Sequence, residues 1–253
     1  MPIHISGTGS FIPKNKVDNN SFSDKVFFDK DGNGYPNSNV EIIEKFQKIT
    51  GIKERRYADK EHKTSDLATF AAKNAIMDAG IDKETLDYII VAHNFGEIEY
   101  GTNQYIALPS VATMVKHKLE ISNENCVAYD LIFGCPGWLE GVIQASAFIK
   151  SKMAKRCLVI GADTLSRTID ESDRDSMIFA DGAGATIIEE NLEPGGILSH
   201  KTITKAGKEA LYLFCETSYN PKNTKSVKHI KMNGRKVYEF AISNIPGALK
   251  KCL

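Results

Sequence analysis

Of the five cysteines and six histidines in this 253-residue chain, one cysteine stands in a setting that favours chemistry. Cys135 sits in the segment Tyr129-Asp130-Leu131-Ile132-Phe133-Gly134-Cys135-Pro136-Gly137-Trp138. An apolar run ends there and a helical pattern follows. Pro136 suits the first turn of a helix, where its missing N–H is not needed. The pattern predicts a helix over Cys135–Lys150, with Cys135 at or beside its N-cap. At that place the positive end of the helix dipole and unpaired backbone N–H groups favour a thiolate. The same N–H groups can stabilise an oxyanion on an attached thioester.

Trp138, Leu139, Val142, Ile143, Ala145, Ala147, Phe148 and Ile149 make that helix apolar on most sides, which places it in an interior. The cysteine would then stand at the mouth of an apolar pocket suited to an acyl chain. The competing reading is structural, because free cysteines are often buried as small hydrophobes. On position alone both readings of Cys135 stand. For Cys126, Cys157, Cys215 and Cys252 the structural reading is taken.

No two cysteines form a CxxC pair and their number is odd, so neither a disulfide framework nor a metal site is expected. His93 reads as a strand-end residue and His229 as a structural residue on a short strand. Lysine plus arginine equals aspartate plus glutamate, 32 each. No global field then draws the chain to nucleic acid or to a membrane surface. No run of about 18 apolar residues occurs, so no transmembrane helix is expected. Met1-Pro2-Ile3-His4 does not read as a signal peptide, and a cytoplasmic location is the expectation.

The elements that must position Cys135 read as alternating strands and helices. Ile3–Phe11 reads as a strand and the polar stretch Lys14–Asn39 as a surface excursion. Val40–Ile49 reads as a short helix. Thr64 or Ser65 caps a helix to about Ala79, with Leu67, Phe70, Ala71, Ala75 and Met77 on its apolar face. Tyr88–Ala92 is continuously apolar, as in a strand buried on both faces of a parallel sheet. A helix follows over Pro109–Leu119, then a strand over Cys126–Phe133 and another over Leu158–Ala162. Met177–Ile188 reads as a strand interrupted by a close-packed glycine turn at Asp181-Gly182-Ala183-Gly184-Ala185. Beyond Glu189, Lys201–Ser226 is irregular, Val227–Met232 is a short strand and Val237–Cys252 a helix. This alternation predicts an α/β sandwich around a mostly parallel sheet.

Several segments occur in one order along nearly the whole chain. They are Gly7-Thr8-Gly9-Ser10, Thr50-Gly51-Ile52-Lys53-Glu54-Arg55-Arg56, the Pro109-Ser110 helix start and Asp130–Gly137. Asp173-Arg174, Phe179-Ala180-Asp181-Gly182-Ala183-Gly184-Ala185 and Met232-Asn233-Gly234 complete the set. Each is weak alone. Together, the chain resembles the ketoacyl-acyl-carrier-protein synthase III family of thiolase-fold condensing enzymes.

That resemblance implies a layered αβαβα thiolase-like fold, with its first half complete and its second half truncated. Residues 1–190 would form the half that bears the nucleophile, and 191–253 the start of the C-terminal half. It implies an acyltransferase in which Cys135 takes an acyl group from coenzyme A or acyl carrier protein. A malonyl-carrier thioester then loses carbon dioxide and attacks that acyl group. Arg174 matches an arginine that in relatives contacts the coenzyme A end of the substrate. Leu108 falls where relatives place a residue that reaches across a homodimer interface. Trp138, with Pro136, replaces small residues common after the nucleophile, and would reshape the acyl pocket. Without the resemblance, Arg174 is a surface arginine paired with Asp173 or Asp175, and Leu108 and Trp138 are core residues.

The chain departs from the family pattern in two further ways. Lys45 and Ile49 stand where many relatives carry a tryptophan and an arginine for the adenine of coenzyme A. The family's histidine and asparagine, which polarise the malonyl thioester, match no residue here. The expectation is slow acylation without condensation by this chain alone, and a possible second chain that supplies the rest. No cofactor is implied beyond the acyl-CoA or acyl-carrier substrate. Other readings are a related condensing enzyme (hydroxymethylglutaryl-CoA synthase-like or polyketide-type), a non-catalytic subunit of a two-chain synthase, and an unrelated cysteine hydrolase.

Overall fold

The structure is a computed structural model that describes residues 2–253. Along the chain run β1 (Ile3–Phe11), β2 (Asn15–Asp18), α1 (Asn39–Thr50), β3 (Glu54–Tyr57), α2 (Thr64–Ala79) and β4 (Tyr88–His93). Next come β5 (Glu97–Ile98), β6 (Tyr105–Ile106), α3 (Val111–Lys118), β7 (Val127–Ile132), α4 (Gly137–Lys150) and β8 (Arg156–Thr164). The last elements are β9 (Asp181–Glu190), β10 (Leu213–Glu216), β11 (His229–Met232) and α5 (Gly234–Cys252).

The elements fall into two compact units, each built from separate stretches of chain. The first comprises the chain up to Asn15, Arg56–Thr164 and Asp181–Leu198; the second comprises Lys16–Arg55, Leu165–Ala180 and Ser199–Leu253.

The first unit is a five-stranded sheet in the order β1-β9-β8-β4-β7. Its side chains alternate between two cores, as the period of a strand requires. Ile89, Val91, Leu158, Ile160 and Ile187 face α2 and α3, with Ala68, Ala71, Ala72 and Val115. Ile90, Cys157, Val159 and Ile188 face α4, with Val142, Ala145 and Ile149. That double burial is why β4 reads as an unbroken apolar run.

The sheet is mixed rather than mostly parallel. β4 pairs in parallel with β7 and β8, while β9 runs antiparallel to both β1 and β8. The expected glycine turn is absent: Asp181–Ala185 is the first half of the continuous strand β9. Gly182 and Gly184 pair with Asp163 and Gly161 of β8, and a Cβ on Gly184 would meet open space. Small residues there fit an extended strand as well as a turn, so local composition did not separate the two.

Helix α2 starts at Thr64, with Lys63 rather than Thr64 or Ser65 as N-cap. The Asp66 carboxylate accepts the Lys63 N–H at 2.8 Å. Its buried face is Leu67, Ala68, Ala71, Ala72 and Ala75, and Met77 turns outward.

The second unit gathers Phe22, Phe27, Ile42, Ile43 and Met177 into a small core. Ser38 caps α1 with a capping box through Glu41. β10, read from sequence as irregular chain, pairs antiparallel with β11. On β11 itself, Lys231 is fully buried, and its ammonium contacts Asp170 and Asp173. No residue of α5 is buried.

Candidate active site

The strand, turn and helix expected around Cys135 are present, with the helix starting two residues later. β7 ends at Ile132 and α4 starts at Gly137. The Phe133 N–H donates to the His93 carbonyl at 3.1 Å, which sets the end of the strand. The Gly137 N–H donates to Gly134 O at 2.7 Å and closes a turn over Cys135 and Pro136. Two glycines let α4 settle on the sheet. A Cβ on Gly137 would lie 2.9 Å from Ala92 Cβ, and one on Gly141 would lie 2.7 Å from Val159 Cγ1.

Cys135 is therefore outside the helix, immediately before its N-cap, Pro136. No side chain caps α4. A helix N-terminus leaves its first N–H groups without intrahelical partners, and here no hydroxyl or carboxylate takes them up. Cys135 is free and exposed. Cys126 and Cys157 are buried, and burial pushes their thiols up to about 11 and about 12. Both belong to the hydrophobic cores, as their structural reading required.

Beneath the turn, the carboxyl ends of β4, β7 and β8 carry a polar network. The His93 Nδ1 accepts the Gly96 N–H at 2.8 Å. The ring proton is then on Nε2, which donates to Asp130 Oδ2 at 2.9 Å. Asp130 also accepts the first N–H groups of α3, Val111 at 2.8 Å and Ala112 at 2.7 Å. Alongside, Asn94 donates both its backbone N–H, at 3.0 Å, and its side-chain amide, at 2.7 Å, to Asp163. Burial raises the Asp163 carboxyl, and the two Asn94 hydrogen bonds oppose that rise. The Asn94 Oδ1 is 3.5 Å from where a Cβ on Gly134 would stand.

Sequence reasoning missed Asn94, Asp163 and the His93–Asp130 contact. One signal was available: His93-Asn94 follow the apolar run that ends at Ala92 and Asp163 follows the one that ends at Ala162, and sites collect at the carboxyl ends of parallel strands.

Trp138 and Leu108 belong to the same unit as Cys135, and Arg174 to the second unit. Trp138 is 37% exposed, and its indole N–H donates to Thr186 Oγ1 at 3.2 Å. Leu108 is 83% exposed, so it is not a core residue of this chain. The Arg174 guanidinium stacks on Tyr35, 4.5 Å from the ring centroid, and pairs with Asp175 at 3.7 Å. Its side chain remains 43% exposed.

Residues 129–206, which include the Cys135 turn and β9, match the family described as 3-oxoacyl-[acyl-carrier-protein (ACP)] synthase III. The beta-ketoacyl-[acyl-carrier-protein] synthase III of Neisseria meningitidis serogroup C is 37% identical over 239 residues, 94% of this chain and 67% of that protein. The chain belongs to the 3-oxoacyl-ACP synthase III family. The Staphylococcus epidermidis synthase III is 36% identical over 244 residues, 96% of this chain and 67% of its own length. A crystal structure of the synthase III from Aquifex aeolicus superposes with a TM-score of 0.79 at 30% identity, covering 99% of this chain and 71% of that one.

The fold is thus the thiolase type of the synthase III enzymes, condensing acyltransferases, and its central sheet is mixed. No helix among the described residues of this synthase III relative is long and apolar enough to cross a membrane. No group of metal-ligating side chains occurs among them.

Proposed function

We propose that Cys135 is the acyl-accepting nucleophile of a 3-oxoacyl-ACP synthase III. The observation that carries this is an exposed cysteine directly before the uncapped N-terminus of α4. In the first step the Cys135 sulfur attacks the acyl carbonyl carbon of a thioester. The bond to the carrier sulfur breaks, and coenzyme A or acyl carrier protein leaves as its thiolate. The oxyanion formed on the way is held by backbone N–H groups of the first turn of α4.

In the second step malonyl-ACP loses carbon dioxide, and the resulting carbanion attacks the acyl carbon on Cys135. A carbon–carbon bond forms and the Cys135 thiolate is expelled. Arg174 contacts the coenzyme A end of the primer, where an exposed guanidinium stacked on Tyr35 suits a phosphate. Leu108 and Trp138 line the acyl site, Leu108 from across a homodimer. β7 lies at the edge of its sheet, which supports pairing of two copies there. The protein works in the cytoplasm with acyl carrier protein as partner.

Intact-mass measurement after mixing with acyl-CoA or acyl-ACP tests the first step. The expected result is one acyl adduct on Cys135 and none on Cys135→Ser. An adduct that survives Cys135→Ser would move the nucleophile elsewhere.

A further inference from the structure

His93 is almost fully buried, and both its ring nitrogens are used. Nε2–H holds the Asp130 carboxylate, and Asp130 takes up the first two N–H groups of α3. Nδ1 holds the Gly96 N–H, at the entry to the β5–β6 hairpin. The His93 carbonyl holds the Phe133 N–H, two residues before Cys135. One residue thus grips the end of β7 from its backbone and its side chain, and also fixes the start of the hairpin that leads to Leu108.

We propose that His93 is a positioning residue that sets the geometry of the Cys135 turn through Asp130. This rests on the reading of Cys135 as nucleophile only for its catalytic consequence. The imidazole does not touch the substrate; its neutral Nε2–H form fixes Asp130, and with it the end of β7 and the start of α3. Lysine or arginine at this place would lack the acceptor for Gly96, and an aliphatic residue would lack both functions. A misplaced reacting group loses rate rather than affinity.

The test uses the full chain and three substitutions. In His93→Gln the amide nitrogen reaches where Nε2 stands and keeps the donor to Asp130. In His93→Asn the amide oxygen replaces Nδ1 and keeps the acceptor for Gly96, but the donor is lost. His93→Leu loses both. Two rates are read for each: carboxamidomethylation of Cys135 by iodoacetamide, and thioester formation from acyl-CoA as a function of its concentration. We expect His93→Leu and His93→Asn to form thioester about tenfold or more slowly at saturation, with half-saturation unchanged, and His93→Gln to stay within about threefold of wild type. Alkylation at Cys135 is expected to change in the same order.

Equal rates in His93→Asn and wild type overturn the proposal, even if His93→Leu does not fold. So does a rise in half-saturation with no fall in the maximal rate. A wild-type chain that forms no thioester sinks the reading of Cys135. The alkylation rates then still decide whether His93 sets the turn.

Discussion

The Lys231 ammonium lies against the Asp170 carboxylate and 3.3 Å from that of Asp173, with no solvent exposure of the lysine side chain. Its nitrogen also sits 3.3 Å from the centroid of the Tyr219 ring. Asp170 accepts in addition from Ser172 N–H, Ser218 Oγ–H and Tyr219 N–H. One buried cation therefore joins three separate segments of the second unit. Removing it leaves buried carboxylates without their partner, a change that typically costs about 3–5 kcal/mol. Lys231→Met should lower the urea midpoint accordingly. A shift equivalent to about 1 kcal/mol or less would mean that the pair behaves as a surface contact.

The carboxylates of this cluster pull stability in opposite directions with pH. Burial raises Asp170, but the Lys231 hydrogen bond and the Tyr219 and Ser172 N–H groups outweigh it and hold it below the ordinary value. Its contribution is present above the unfolded value of about 3.9 and disappears as pH falls through the folded one. Asp175 is raised by burial and by Asp173. Its folded form binds a proton more tightly than the unfolded form, so it weakens the fold as pH rises above about 3.9. Asp175→Asn should therefore stabilise the chain at pH 7, with the gain vanishing by pH 3. Thermal melts across that range check the sign; a loss at pH 7 contradicts it.

Thiol labelling should separate four of the cysteines by environment. Iodoacetamide at pH 8 is expected to modify Cys135 before Cys215, whose thiol is raised by burial. Cys126 and Cys157, pushed up to about 11 and about 12, should react only after denaturation. Peptide mass spectrometry over a time course gives the order. Labelling of Cys215 with Cys135 spared would count against a reactive cysteine at the head of α4.

Helix α2 lies so close to β1 that a Cβ on Gly9 would stand 2.2 Å from Ala71 O and 2.4 Å from Ala75 N. These are backbone atoms within a helix and have little room to retreat. Gly9→Ala should cost about 3 kcal/mol or prevent folding. Gly184→Ala, where the added carbon meets open space in a strand, should be neutral or stabilising by up to about 1 kcal/mol. Equal destabilisation by both would refute the close approach of α2 and β1.

Some of this protein was decided locally and was therefore readable residue by residue. The apolar run of β4 needs only its own composition to declare double burial. The turn around Cys135 is announced by Gly134, Pro136 and Gly137, because a strand end, a first-turn proline and a tight helix–sheet contact restrict residue type at those positions. Even there the helix started at Gly137 rather than at Cys135, which leaves the cysteine on the turn.

Other features depend on partners distant in sequence, and only the tertiary structure decided them. Nothing in Asp181–Glu190 says that β9 runs antiparallel between β1 and β8, since its alternation is the same in either direction. β10 is only four residues long, Leu213–Glu216, and is too short to declare itself without β11. His93 reads as an ordinary strand end until β7 brings Asp130 within 2.9 Å of it. Most lysines face solvent, and nothing in the residues around Lys231 marks it as an exception. It is buried because Asp170 and Asp173, some sixty residues earlier, are folded onto it, and a charge can leave water only where such partners wait.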